Sequence, residues 1–370
     1  MRAETLAEAR VLRAAGDYER AVEILRGLLR ARPDDIAIRE ELGYALLLDG
    51  QIRAARYQFT LLDERVDDPA LRALYRGVLR RIDAERPTSV SLIFELEPTS
   101  NLNNGTDART VRLNGFGTGD VTPESRRTAG WRARIGLQGF VRRPLGTQGR
   151  VTFDWRVQRE IFSEVFDPSD EVELGLGYTH TPHWGEWGVR GVALHHDGDL
   201  ARYQYYGIST GSVLRVGPKQ AVDGQLTLAR LDFPPGDARG GPRVSVEAGW
   251  RFSPDPATSL RFGARVGRVR SERIGLRHTA AEVNAQVSRA FRGGLEIGAA
   301  LAIGQRIYAR DLGFGRRDTI ADVSATLVNS RYSVRGVVPK LTCSLGRTRS
   351  NVAVFDTTRK GCGISLSRRF

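Results

Sequence analysis

The sequence predicts an α plus all-β membrane protein, in which a short stack of paired helices precedes a fourteen-strand antiparallel transmembrane β-barrel. Three observations carry this. From about residue 88 apolar and polar residues alternate with a period of two, the connections between alternating runs are long and short in turn, and the chain ends on Arg368-Arg369-Phe370. Such alternation arises when one face of each strand meets lipid and the other a polar lumen. Before residue 86 the period lengthens to about three and a half, which is helical.

In chain order the helices come first. Leu6, Ala9 and Val11-Leu12 lead into Gly16-Asp17-Tyr18, and Ala21, Ile24-Leu25 and Leu28-Leu29 lead into Pro33-Asp34-Asp35. A second unit carries Leu42, Ala45-Leu46, Gly50-Gln51, Ala55, Phe59 and Leu62, stops at Asp67-Asp68-Pro69, and is followed by a closing helix over about 69–85. Gly16 and Gly50, Ala21 and Ala55, and Leu28 and Leu62 are each 34 residues apart, the tetratricopeptide period. The glycines let the chain turn, the alanines let helices approach, and Pro33 and Pro69 mark helix ends. Each repeat buries its face only against neighbours, so this pair is expected to lean on the barrel or on further helices. Arg86-Pro87 closes the unit, giving domains 1–86 and 87–370. A stack of this kind offers a concave surface to a peptide or protein; the other reading is a spacer or barrel plug.

The strands follow at 88–98, 126–142, 149–161, 170–180, 186–197, 202–216, 219–232, 241–251, 258–269, 276–290, 293–306, 318–331, 335–348 and 359–370. In the second, Trp131, Ala133, Ile135 and Leu137 share one parity; in the third, Val151, Phe153, Trp155 and Val157 do. A water-soluble sandwich would alternate too. It does not predict that connections after odd strands, such as 99–125, 233–240, 307–317 and 349–358, exceed those after even strands, such as 181–185, 217–218 and 291–292. Long outside and short in the periplasm is the rule of outer-membrane barrels, and it places the helical unit in the periplasm.

Lysine plus arginine total 56 against 43 acidic residues, yet only Lys219, Lys340 and Lys360 are lysines. No nucleic-acid-binding motif accompanies this excess, so no nucleic-acid partner is expected. Arg132, Arg134, Arg156, Arg261 and Arg265 have lumen parity; they make either a positive lumen or a solvated wall paired with Asp and Glu. Arg132, Arg134 and Arg156, with Asn101 and Asn103 near the mouth, are the candidate substrate or partner contacts, although Asn in this Asn- and Gly-rich run also simply makes turns. No apolar run reaches the length of a helical span. Met1-Arg2-Ala3-Glu4-Thr5 enters an amphipathic helix with no secretion signal, so this start is expected to be a mature, engineered or mis-called one.

A closing hairpin centred near Val352 and Ala353 sets Cys343 opposite Cys362, both at lipid-facing parity. A cross-strand disulfide and two packed free thiols remain open as readings. His180 and His183 flank a short turn, whereas His195 and His196 end the next strand, on the order of 25 Å away; turn and interfacial histidines are expected rather than a metal site. Ser163, Ser209 and Ser212 lack His and acid partners on matching faces, and no nucleophile elbow, phosphate loop or zinc helix occurs. The expectation is no enzyme, no cofactor and no metal.

A tetratricopeptide unit followed at once by a fourteen-strand barrel resembles the surface lipoprotein assembly modifier family of Gram-negative bacteria. The most specific carriers are the run from Phe94-Glu95-Leu96-Glu97-Pro98 through Thr99-Ser100-Asn101-Leu102-Asn103-Asn104-Gly105-Thr106, and the closing Pro339-Lys340-Leu341, Ser350-Asn351 and Gly363 to Phe370. The resemblance implies translocation of a dedicated lipoprotein or secreted protein to the cell surface, with outer-membrane lipids and the barrel-assembly machinery as further partners. The expected route is the seam between the first and last strands, at Val90, Leu92 and Phe94 on one side and Ile364, Leu366 and Phe370 on the other, because an opened seam exposes strand edges. Two other functions compete: a passive anion-preferring porin, and a surface adhesin or scaffold using loops 99–125 and 307–317.

Overall fold

A computed structural model describes residues 5–85, 87–113, 117–163, 166–199, 201–310, 315–332 and 337–369. Five helices come first: α1 (Leu6–Ala14), α2 (Tyr18–Ala31), α3 (Ile36–Leu48), α4 (Ile52–Arg65) and α5 (Pro69–Glu85). Thr5, Asp17 and Asp35 cap α1, α2 and α3 by accepting from the backbone N–H groups of Glu8, Arg20 and Ile38, which satisfies donors the first turn leaves open. The 34-residue repeat is structural: Ala21 and Ala55 are both fully buried, and the apolar stripes of α1 to α4 share one core with Leu25, Ile38, Leu42 and Leu46. A second core joins Phe59 and Leu62 to Tyr75 and Ile82 of α5.

Gly16 and Gly50 close the turns α1–α2 and α3–α4 at φ +85° and +77°. A Cβ at either would meet nothing within 4 Å, so the cost of substitution is backbone strain alone. Gly50→Ala is therefore expected to cost about 1–2 kcal/mol, read as a lower melting temperature of the helical circular-dichroism band with the barrel unchanged.

The barrel strands are β1 (Thr88–Thr99), β4 (Gly130–Leu145), β5 (Gly149–Phe162), β6 (Ser169–His180), β7 (Gly185–Asp197), β8 (Tyr203–Gly217), β9 (Gln220–Asp232), β10 (Gly241–Phe252), β11 (Thr258–Val269), β12 (His278–Ala290), β13 (Leu295–Tyr308), β14 (Arg317–Asn329), β15 (Val338–Ser350) and β16 (Thr357–Arg369). Among the described residues these fourteen close in sequential antiparallel order, with β1 paired to both β4 and β16. Large apolar side chains such as Trp131, Ile135, Phe153, Val157, Leu174 and Leu176 stand exposed on the outside, which is a lipid-facing surface.

Three features differ from the sequence expectation. The second barrel strand begins at Gly130 rather than 126, because the Arg127 N–H bonds back to the Thr106 carbonyl at 3.0 Å and holds the chain in the loop. That loop also contains a small hairpin, β2 (Thr110–Leu113) with β3 (Gly117–Asp120), too short and too Gly-rich to alternate visibly. The turn 330–337 is as long as several loops at the opposite end, so the length asymmetry holds in the sum of the connections rather than in each one.

Candidate functional site

Three regions carry the candidate residues: the lumen wall, the β1–β16 seam and the junction between helices and barrel.

The lumen wall is a lattice of ion pairs. On β4, Arg132 bonds Glu97 of β1, while Arg134 bridges Glu95 at 3.0 Å and Glu160 of β5 at 2.5 Å. Arg156 of β5 pairs with Glu173 and stands 3.6 Å from Glu171, both on β6. Arg190 of β7 joins Asp154 and Glu173, with Gly175 leaving the room that pair occupies. Farther round, Arg251 and Arg261 share Asp223 at 2.8 and 2.9 Å, and Arg261 and Arg265 share Glu247. Arginine–carboxylate pairs between neighbouring and next-nearest strands, bidentate at Arg190 and Asp154, fix the wall and cancel much of its charge. The candidate contacts Arg132, Arg134 and Arg156 thus line the lumen, each already engaged by a carboxylate.

Asn101 and Asn103 organise the first loop. Asn101, 2% exposed, accepts from the Gly105 N–H and donates to the Gly105 and Thr358 carbonyls, reaching across the seam to β16. Asn103 donates to the Glu124 and Arg126 carbonyls and accepts from the Gly105 and Thr128 N–H groups. Thr106 Oγ1 donates to the Ala353 and Asp356 carbonyls, clasping the loop to the β15–β16 turn.

At the seam Leu92, Phe94 and Leu96 of β1 oppose Arg368, Leu366 and Ile364 of β16. Val90, like these three, pairs on its other side with β4, there with Gly139, and Phe370 lies outside the described residues. The ladder skips Glu97 and Pro98 before resuming at Thr99 with Gly361, since proline has no N–H to give. Gly361 lets the strands approach closely there: a Cβ would stand 2.6 Å from Glu97 Oε1 and 3.1 Å from the Pro98 carbonyl oxygen. The seam is thus broken by Pro98 and clasped above it by Asn101 and Thr106.

Next to it, Cys343 and Cys362 are register partners and are disulfide-bonded, tying β15 to β16. His180 and His183 lie at the β6–β7 turn, while His196, at the other end of β7, stacks on Tyr203.

The helices lean on the barrel at the short-turn end, as the shortness of the stack leads one to expect, through residues the sequence does not single out. Arg72 of α5, 1% exposed, donates to the Asp63 carbonyl at 3.1 Å, to the Val66 carbonyl, and to the Phe291 carbonyl of the β12–β13 turn at 3.0 Å. Arg76 binds Asp63 at 2.8 Å and Glu296 of β13 at 2.5 Å, and Arg331 reaches Asp67. Burial pushes the Asp63 carboxyl above the usual carboxylate range, against the pull of Arg76.

Comparison with known proteins gives two family matches. A family profile described as surface lipoprotein assembly modifier matches residues 170–370, and a tetratricopeptide repeat profile matches 12–77. No curated protein matches the chain. Among solved structures the chain is similar to the deltaS2 mutant of the TodX monoaromatic hydrocarbon channel (7% identity, 77% of this chain and 90% of that one, TM-score 0.46). It is also similar to OccAB3 of Acinetobacter baumannii (5%, 76% and 99%, 0.41) and to a loop L8 deletion mutant of OmpT, an outer membrane protein of Vibrio cholerae (8%, 77% and 100%, 0.40).

Proposed function

The chain belongs to the surface lipoprotein assembly modifier family, and from that membership we propose that it delivers a dedicated surface lipoprotein or secreted protein across the outer membrane. The helical stack receives the substrate in the periplasm, and the barrel passes or releases it at the β1–β16 seam. The observation that supports this most is the junction: Arg72, Arg76 and Arg331 hold the stack against the short-turn end, so a captured chain is presented at the barrel mouth. The interruption at Pro98 supports the exit, because a strand pair missing ladder bonds opens at lower cost. No catalytic step and no cofactor enter the scheme; the partners are the substrate, outer-membrane lipids and the barrel-assembly machinery.

The test is protease accessibility of a co-expressed candidate lipoprotein on whole cells carrying this chain behind a secretion signal, with and without residues 1–85. Surface exposure is expected only with the full chain. Equal exposure in cells lacking the protein removes translocation of that substrate. The passive-porin reading predicts steady conductance in a planar bilayer with no protein substrate, but the pairing of lumen arginines with carboxylates weighs against strong anion preference. The adhesin reading predicts that the barrel alone binds a partner as well as the full chain does.

A further inference from the structure

The lipid-facing side of β13 to β16 is graded in a way the family function does not require. Ala299, Ala325, Cys343 and Cys362 are register partners in one row across four strands. The row above it is Leu301, Val323, Leu345 and Lys360, and the row below is Ile297, Leu327, Leu341 and Ile364. The apolar members of both flanking rows are large and exposed. Small side chains between two ridges make a trough, and an apolar groove of about 780 Å³ runs over Ala325, Cys343 and Cys362 and the row above them, reaching the seam at Pro98.

Above the trough, towards the long-loop end, three cations share the outer face. Arg347 and Arg349 are two residues apart on β15, and Lys360 is diagonal to Arg347 across the β15–β16 ladder, where Arg347 faces Thr358 and Leu345 faces Lys360. All three are exposed. On the other side Arg347 and Arg349 face Ala321 and Thr319, so their outer-face partners are uncharged. Among the described residues none of the three has a carboxylate partner, in contrast to the paired arginines of the lumen. Cations on the lipid face of a barrel are tolerated near the interface and costly at the midplane, which places this cluster at headgroup level.

We propose that this face is a binding site for the phosphorylated, multiply acylated glycolipid of the outer leaflet. Its phosphates lie against Arg347, Arg349 and Lys360, and one acyl chain occupies the Ala325–Cys343–Cys362 trough. Charge complementarity commits the site to a polyanionic head: three uncompensated cations within one patch exceed what a single phosphodiester neutralises. The orientation follows from the long loops facing outward. The site does not depend on which protein the barrel delivers.

The test uses the full purified chain in detergent, with lipid A and phosphatidylglycerol as probes and native mass spectrometry or a fluorescent-lipid titration as readout. The combined Arg347→Ala, Arg349→Ala, Lys360→Ala variant is expected to lose lipid A affinity by roughly a hundredfold, on about fivefold per cation at a membrane surface. Ala325→Leu, which fills the trough and leaves the cations in place, is expected to weaken lipid A as well. Both changes point away from the lumen, and heat-modifiable gel mobility reports folding for each separately. Undiminished lipid A binding by the charge variant overturns the site, and undiminished binding by Ala325→Leu overturns the acyl seat. Parent protein that binds phosphatidylglycerol as tightly as lipid A overturns the assignment to the glycolipid.

Discussion

Oxidised Leu96→Cys/Ile364→Cys protein is expected to fold as a closed barrel yet lose nearly all surface delivery of its substrate, and to regain delivery on reduction. The two positions are register partners in β1 and β16, and antiparallel partners lie at Cα separations a disulfide spans. The seam pairs the first barrel strand with the last, so no hairpin joins it, and hydrogen bonds alone hold it along the barrel wall. At about 1 kcal/mol net per bond in water, and more where lipid offers no replacement partner, the run from Ser91 to Leu96 is a barrier that a competing strand can replace bond for bond. A covalent link cannot be replaced that way. The comparison is best made with Cys343→Ser and Cys362→Ser in the background, so that only the new pair responds to reductant. Equal delivery by the oxidised and reduced forms would sink the seam route and leave the lumen as the path.

Arg72→Ala is expected to cost about 3 kcal/mol at the junction, because charge-assisted bonds to three carbonyls are lost inside a buried contact. Two of those carbonyls, from Asp63 and Val66, belong to the end of α4 and its exit, so part of the loss falls within the helical unit. Glu296→Gln separates the two effects: it weakens only the Arg76 bridge to the barrel. Hydrogen exchange over residues 69–85 should rise strongly in Arg72→Ala and modestly in Glu296→Gln, and α2 and α3 should keep their protection in both. Delivery should fall in the same order. Unchanged delivery in a protein whose α5 exchanges freely would show that docking of the stack is dispensable.

The parts legible beforehand rest on local periodicity. Period two, with Trp131 to Leu137 and Val151 to Val157 outward, needs only the pleat of a single strand, and the 34-residue recurrence of Gly16 and Gly50 needs only one repeat to resemble the next. That Cys343 stands opposite Cys362 followed from the centre of one hairpin, while their bond came only with the structure. Asn101 was legible as a turn residue, but its reach to the Thr358 carbonyl was not, since that contact closes the ring between residues 257 positions apart.

What the sequence by itself determined is therefore the order and type of the helices and barrel strands, which face of each barrel strand is apolar, and the pairing within barrel hairpins. Those follow from side-chain period and turn chemistry over a few residues. Only the tertiary structure decided which carboxylate each lumen arginine meets, that the ladder breaks at Pro98, that Arg72 and Arg76 dock on Phe291 and Glu296, and that four small residues align into a trough beneath three cations. Each of these depends on the relative stagger of strands or on contacts between distant segments. That stagger is set by closing the whole barrel at once, a constraint that no local stretch of sequence carries.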